Sequence, residues 1–402
     1  MPGPPDFDAL DAASDAGNQS ATADAVELEF LDDNAFAASP MRRNPGPGMW
    51  ESLAWILSFF ALEFVIEFAW VVAAVAGKVV MTGEAIPASE FQAFLAPQMP
   101  YMIGLAKFIE VFFFLAVIRW RFGPGAFRFT GFRPVPALHL VILALVIIPT
   151  AAFSGQLYAV FTLGWEWLVQ FFPVLEELRQ LSSIEAVQEM ARSTPLMVLI
   201  VVVAVLPALQ EEFLFRGLIG RGLVGRYGVI AGIALTSMLF AAVHLTPTHV
   251  AALIPLAVVM HVAYLSSGSI WLPVLVHFLN NALSVIFMVI AAREGDAELS
   301  ANALDGQFDV GLLIASGCCV TAAVWLLWRS RVRWRLPDGS MWRPVVPGVA
   351  SPPEELEAKR EISGHVMVPA IALLLGLMLF TVAYGVNAWR MTREAAGMVL
   401  SL

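Results

Sequence analysis

Charge and cysteine are what this sequence has least of. Only 14% of its 402 residues are Asp, Glu, Lys or Arg, against 59% hydrophobic, and the mean hydropathy is +0.75. A soluble domain carries nearer 25% charged residues. That class is excluded, and a polytopic membrane protein is the natural alternative. The 2 cysteines, Cys318 and Cys319, are adjacent in an apolar run. Neighbouring cysteines rarely bridge each other, so no disulfide framework is implied and the redox compartment stays open. Their reading is that of small apolar residues in a helix. Nucleic-acid motifs are missing, and no internal repeat is visible. No basic segment precedes a short apolar core at the start, which argues against a cleaved signal peptide. Three hydrolytic signatures are also missing: HExxH, GxSxG and an intramembrane aspartate pair.

The formal net charge of -10 is mostly local. Residues 1–48 hold nine acids against Arg42 and Arg43, a net of -7, so the remaining 354 residues carry about -3. Rich in Ala, Asp, Pro, Gly and Ser and ending in NPGPG, residues 1–48 read as a disordered acidic tail that cannot bury enough surface to offset its ordering entropy. From Trp50 the apolar runs have the length of membrane-spanning helices, roughly 17–25 residues. They predict an all-α, polytopic transmembrane helical bundle of about nine spans (eight to ten), at 50–77, 99–118, 137–163, 195–220, 228–246, 249–266, 270–292, 309–328 and 366–388. The third could be one long tilted helix or a span plus an interfacial piece carrying Trp165 and Trp167. Trp325, Trp328 and Trp334 fit an interfacial belt. The stretch 174–193 has helical apolar spacing and is expected along the outer interface.

Loop charge orients this path by the positive-inside rule. Arg42/Arg43, Arg119/Arg121/Arg128/Arg133, Arg221/Arg226 and Arg329/Arg331/Arg333/Arg335 all fall on one side. Glu176, Glu177, Glu185, Glu189, Glu294, Asp296 and Glu298 fall on the other. The chain is therefore expected to be integral, multi-pass and in the lipid bilayer, with a cytoplasmic amino terminus. Its segments divide as tail 1–48, amino-terminal spans and interfacial segment 49–194, core 195–292, and carboxy-terminal spans 293–402 with a cytoplasmic loop at 329–365.

Ionised groups inside the bilayer cost roughly 2.5–3.5 kcal/mol each on insertion scales, so they mark function or a partner. In QEEFLFRG, Glu212 and Arg216 stand at i and i+4 on one helical face and compensate each other. Glu211 points about 100° away and is left without that partner. His244 closes the fifth span; His277 lies in the seventh, with Asn281 one turn later. Taken singly, each could be a structural hydrogen-bonding group. Together they suit hydrolysis. Glu211 could take a proton from a water attacking a peptide carbonyl, with His244, His277 and Asn281 polarising the carbonyl or holding the oxyanion. The histidines and a glutamate could instead hold zinc. Spacing does not choose between these.

Three motifs, EEFLFR (Glu211, Glu212, Arg216), FAAVH (Phe240, His244) and HFLNN (His277, Asn281), occur in the order EExxxR, FxxxH, HxxxN. They resemble the CAAX-protease and bacteriocin-processing (CPBP) intramembrane endopeptidases over roughly 195–292. The resemblance implies a helical bundle with a cavity open to the cytoplasm, Glu211 as the water-activating base, and His244, His277 and Asn281 completing water positioning and the oxyanion site. Glu212, Arg216 and Phe240 would support them. Members are described both as zinc metalloproteases and as metal-independent glutamate proteases, so zinc on Glu211, His244 and His277 and a metal-free site are both implied. The substrate implied is a membrane-associated protein or peptide.

Two other classes stay open at this level: a catalytically silent membrane scaffold or bacteriocin-immunity protein, and a transporter with Glu211 as its proton site. Oligomeric state is not read from the sequence. Among lesser candidates, His249 and His261 read as structural. Asn280 faces another direction from Asn281. Glu63 and Glu67, at i and i+4 in the first span, read as a protonated pair or a cavity wall.

Overall fold

In a computed structural model, the chain is described at residues 46–181, 183–293, 308–344, 348, 352, 356–362 and 364–399. The acidic tail expected at 1–48, except for 46–48, and the acids Glu294, Asp296 and Glu298 lie outside these residues. Eight helical elements are long and apolar enough to cross a membrane: α1 (Met49–Thr82), a stretch over Phe91–Phe122 whose main helix is α2 (Met99–Phe122), α3 (Ala137–Val169), α4 (Leu196–Ala242), α5 (Pro247–Ser267), α6 (Trp271–Arg293), α7 (Val310–Arg329) and α8 (Met367–Val399). The chain is an integral multi-pass membrane protein, all-α apart from one small sheet.

The 47 residues of α4 are too many for one crossing, and they do not make one. At Gly228 the backbone leaves helical geometry, with φ 81° and ψ 173°. That combination is open essentially to glycine alone. Beyond it the chain runs back along itself. A Cβ at Gly232 would lie 2.4 Å from the Val224 Cα, and one at Gly220 would lie 3.2 Å from Thr236 Cγ2. The Phe215 and Phe240 ring centroids are 5.2 Å apart. In a straight helix 25 residues would separate them by about 37 Å. α4 is thus a hairpin, an outbound arm to Gly228 and a return arm ending at Ala242, and the described residues make nine passes.

The nine spans expected from the sequence are therefore present with different boundaries. The fourth does not stop at 220, because Arg221–Val224 are buried helix rather than loop. The return arm ends at Ala242, and a turn through Leu245, at φ 62°, leads into α5. Of the two readings of the third span, α3 takes the single-helix one, 33 residues long with Pro149 inside it. Residues 173–181 form a 3-10 stretch and 183–193 a helix, in the region expected along the interface. The segment 329–365, read as a loop, contains a three-stranded antiparallel sheet. Its strands are β1 (Val332–Arg335), β2 (Met341–Trp342) and β3 (Lys359–Ile362), in the order β2-β1-β3. β1 pairs Trp334 with Trp342 on one edge and with Arg360 on the other. The run of charge and proline that marked it as a loop hid three strands too short to show a period of two.

One end of the bundle gathers arginines, several of them tied to backbone or carboxylate there. Arg121 Nε donates to Glu51 Oε1 (2.7 Å), Arg221 to the Phe129 carbonyl (2.9 Å) and Arg226 to the Gly46 carbonyl (2.9 Å). Arg360, on β3, donates to the carbonyls of Pro134 and Ser267, fastening the sheet to the turns below α3 and after α5. The main core is built from α4, α5 and α6 with the inner faces of α2, α3 and α7. α1 packs mainly against α2, and its outer face, with Leu57, Phe64, Val65 and Phe68 exposed, is left for lipid.

Candidate active site

The hairpin decides the depth of the site. Successive contacts across it pair Val224 with Gly232, Gly220 with Thr236 and Phe215 with Phe240. Continued one more turn, the register places His244 opposite Glu211 and Glu212. The three motifs meet on that level although 33 residues separate each histidine from the motif before it. Ten helical residues separate Glu211 from Arg221, a rise of roughly 15 Å along the outbound arm. The outbound arm is not a regular α-helix here: Ile200–Val205 and Phe213–Gly220 are π-helical and bracket the α-helical turn Leu206–Glu212. Insertions of this kind recur at functional sites because they re-aim side chains without ending the helix.

Glu212 and Arg216 pair as their spacing predicts. Arg216 Nη1 donates to Glu212 Oε1 at 2.7 Å, with both side chains fully buried. Arg216 Nη2 donates to the Ala257 carbonyl of α5 at 2.9 Å, and the guanidinium lies 4.6 Å from the Phe240 ring centroid. Phe240 thus supplies a cation–π face as well as packing. Glu212 Oε1 also lies 3.0 Å from His277 Nδ1. The sequence reading did not foresee this contact. Because a carboxylate already receiving Arg216 can only accept, His277 Nδ1 is the donor in this contact. His244 is fixed the same way, with Nδ1 3.2 Å from the Phe240 carbonyl. The rings of His244 and His277 flank Phe240, with centroids 5.4 and 5.7 Å from it.

Glu211 is 8% exposed, and its Oε2 is buried without a hydrogen-bond partner among the described residues. It acts electrostatically on His244 and Arg216, and also on Lys107 and Glu110 of α2. Asn281 Nδ2 donates to the Val203 carbonyl in the first π-helical stretch (3.1 Å), and its Oδ1 faces Asn280 Nδ2 at 3.4 Å. It ties α6 to the outbound arm just before Glu211 and keeps a second amide hydrogen.

Sequence reasoning missed Lys107 and Glu110. Lys107 Nζ lies 2.6 Å from Glu63 Oε1 of α1 and 3.7 Å from Glu110 Oε2. The signal was available, since a lysine and a glutamate three residues apart in IGLAKFIEVFF are intramembrane ions like those in α4. Glu63 belongs to this group rather than to an isolated pair with Glu67. His249 stacks edge-on to His244 at 5.1 Å and to Tyr158 at 6.2 Å. His261 is fully buried behind Arg216, and neither ring nitrogen has a partner among the described residues.

Zinc is the metal the resemblance raises. Among the described residues, no three His, Cys, Asp or Glu side chains are gathered as a metal ion requires. Glu211, His244 and His277 therefore do not assemble as a ligand set in this geometry.

Residues 193–283 match the family model described as Type II CAAX prenyl endopeptidase Rce1-like. The match bears out, over that segment, the resemblance of the three motifs to the CPBP intramembrane proteases. No curated protein and no solved structure matches the chain.

Proposed function

We propose that this chain is an intramembrane endopeptidase that hydrolyses a peptide bond in a membrane-associated protein or peptide, with Glu211 as the base. One observation carries the reading. Glu212 is committed to Arg216 and His277, whereas Glu211, level with His244, keeps a buried carboxylate oxygen free. A buried acceptor beside polar neighbours is where a water belongs.

Glu211 takes one proton from that water as the water oxygen bonds to the peptide carbonyl carbon. The proton then passes to the leaving nitrogen as the C–N bond breaks, and Glu211 returns to carboxylate. The water's second hydrogen is accepted by Nε2 of His244, which stands level with Glu211 and orients the water, and His277 lies beside it on the other side of Phe240. The second Asn281 amide hydrogen is the donor for the oxyanion. Glu212 and Arg216 act one step back, holding the His277 tautomer as a carboxylate holds an imidazole in hydrolytic triads. The arginine-rich end is the cytoplasmic one by the positive-inside rule, so the amino-terminal end of α1 is cytoplasmic.

The test is cleavage of a peptide library by the purified chain in lipid, with prenylated and unprenylated carboxy-terminal peptides both present. Glu211→Gln is expected to lower turnover by about 10²–10⁴, and a chelator to leave it unchanged. Full cleavage by Glu211→Gln would remove the base. Loss on chelation with recovery in zinc would replace the metal-free mechanism, and solute flux without cleavage would favour a transporter.

A further inference from the structure

The group formed by Glu63, Lys107 and Glu110 lies outside the three motifs, on and beside the helix that packs against the segment holding Glu211. Its placement follows from how α2 runs beside the outbound arm of α4. A Cβ at Gly104 would lie 3.0 Å from Val202 Cγ2, and one at Gly217 would lie 2.9 Å from Ile118 Cδ1. The two helices therefore run parallel, with a constant offset over fourteen or fifteen residues. That offset sets Lys107 and Glu110 within about a turn and a half of Glu211 in depth.

Lys107 is anchored three ways. Its ammonium lies 2.6 Å from Glu63 and 3.7 Å from Glu110, and stands 4.7 Å from the Phe59 ring centroid. Its side chain is 12% exposed, that of Glu63 21% and that of Glu110 not at all. A simple tie between α1 and α2 would need only the Glu63–Lys107 pair. Glu110 goes beyond that: both its oxygens are buried without a hydrogen bond, and Lys107 is an ion-pair neighbour too distant to donate one. Burying such a group uncompensated is costly, and nothing in helix packing asks for it. One ammonium thus serves three carboxylates, two in its own group and Glu211.

We propose that Lys107 is a positioning residue for Glu211, with Glu63 and Glu110 as the counter-carboxylates that hold its ammonium between the helices. Lys107 supplies a positive charge on the α2 side of the outbound arm and so draws the Glu211 side chain towards α2. The other charged or titratable groups around Glu211 are Glu212 and Arg216 on its own arm, His244 at the end of the return arm and His277 on α6. None of these offers a second cation on the α2 side. The assignment rests on the endopeptidase reading above.

The experiment is a double-mutant cycle on the full chain in lipid, with kcat, KM and thermal unfolding measured for each variant. Lys107→Met is expected to lower kcat by at least tenfold with KM little changed, and Lys107→Arg to keep most of the activity. Lys107→Met combined with Glu63→Gln, which removes the carboxylate at 2.6 Å together with the ammonium it pairs with, is expected to recover part of the lost kcat. An active wild type whose Lys107→Met variant keeps its kcat would overturn this assignment alone. So would a loss of kcat that follows unfolding temperature and deepens in the double variant. A wild type that cleaves no peptide would overturn the endopeptidase reading and this assignment with it.

Discussion

Replacing Arg216 with methionine should destabilise the bundle by about 3–5 kcal/mol, the cost of breaking a buried ion pair from one side. Methionine fills nearly the same volume, so little of the loss comes from a cavity. What remains is a fully buried Glu212 carboxylate that keeps only His277, and an Ala257 carbonyl that loses its second donor but keeps its place in the α5 helix. The lost face of Phe240 is worth up to about 2 kcal/mol. All three contacts belong to one guanidinium, so the figures do not add. The pair value stands as the expectation. The companion variant Glu212→Gln with Arg216→Met removes the stranded charge, and only a neutral amide is left to satisfy, at about 1–3 kcal/mol. It should be more stable than Arg216→Met alone. The assay is denaturant titration of the purified protein in mixed micelles, followed by tryptophan fluorescence. A loss under about 1 kcal/mol, the worth of an exposed pair, would refute the idea that Arg216 makes Glu212 tolerable inside the membrane. A double variant no better than the single would refute it as well.

Further outcomes follow from the same geometry. Glu212→Gln should lower kcat and also destabilise the fold, because it leaves the buried Arg216 guanidinium without its counter-charge; denaturant titration and turnover on the same sample separate the two effects. Gly232→Ala should force the arms of the hairpin apart, because its Cβ would lie 2.4 Å from the Val224 backbone. Its stability and activity should fall together, whereas Gly155→Ala, with open space at its Cβ, should leave both in place. Asp309 caps α7 by accepting from the Leu312 N–H (2.8 Å), which holds its carboxyl below the usual range, with Asn387 and Arg390 adding to the effect. A carboxyl depressed on folding gives stability that is present above its unfolded value of about 3.9 and lost as pH falls through the folded value. Asp309→Ala should therefore cost about 0.5–2 kcal/mol at neutral pH, and the difference from wild type should vanish in strong acid. A difference that persisted there would show that the cap is not electrostatic.

Much of the architecture was legible in the chain because the bilayer writes it there. A segment that crosses lipid must satisfy its own backbone and carry apolar side chains for its whole length, so spans appear as long runs and their connections as interruptions. The site residues were legible for the same reason, since ions stand out in such runs. Legibility failed where one signal had two readings. Arg221 and Arg226 looked like the end of a span, yet Arg221 is buried against the Phe129 ring and the helix continues to Gly228. Lys107 and Glu110 were as visible as Glu211 but matched no motif. The strands of the 329–365 segment were too short for any periodicity to declare them.

By itself, then, the sequence determined that this is a multi-pass helical membrane protein with carboxylates, histidines and an amide buried in three of its spans. Local spacing also settled that Glu212 and Arg216 compensate each other, because i and i+4 on a helix are neighbours whatever else the chain does. Only the tertiary structure decided that Glu212 rather than Glu211 holds His277, that the turn at Gly228 brings His244 to the depth of Glu211, and that Lys107 pairs with Glu63 of another helix. Those are distances between helices. They depend on where one arm reverses and how it packs against its neighbours, and no spacing along a single chain records them.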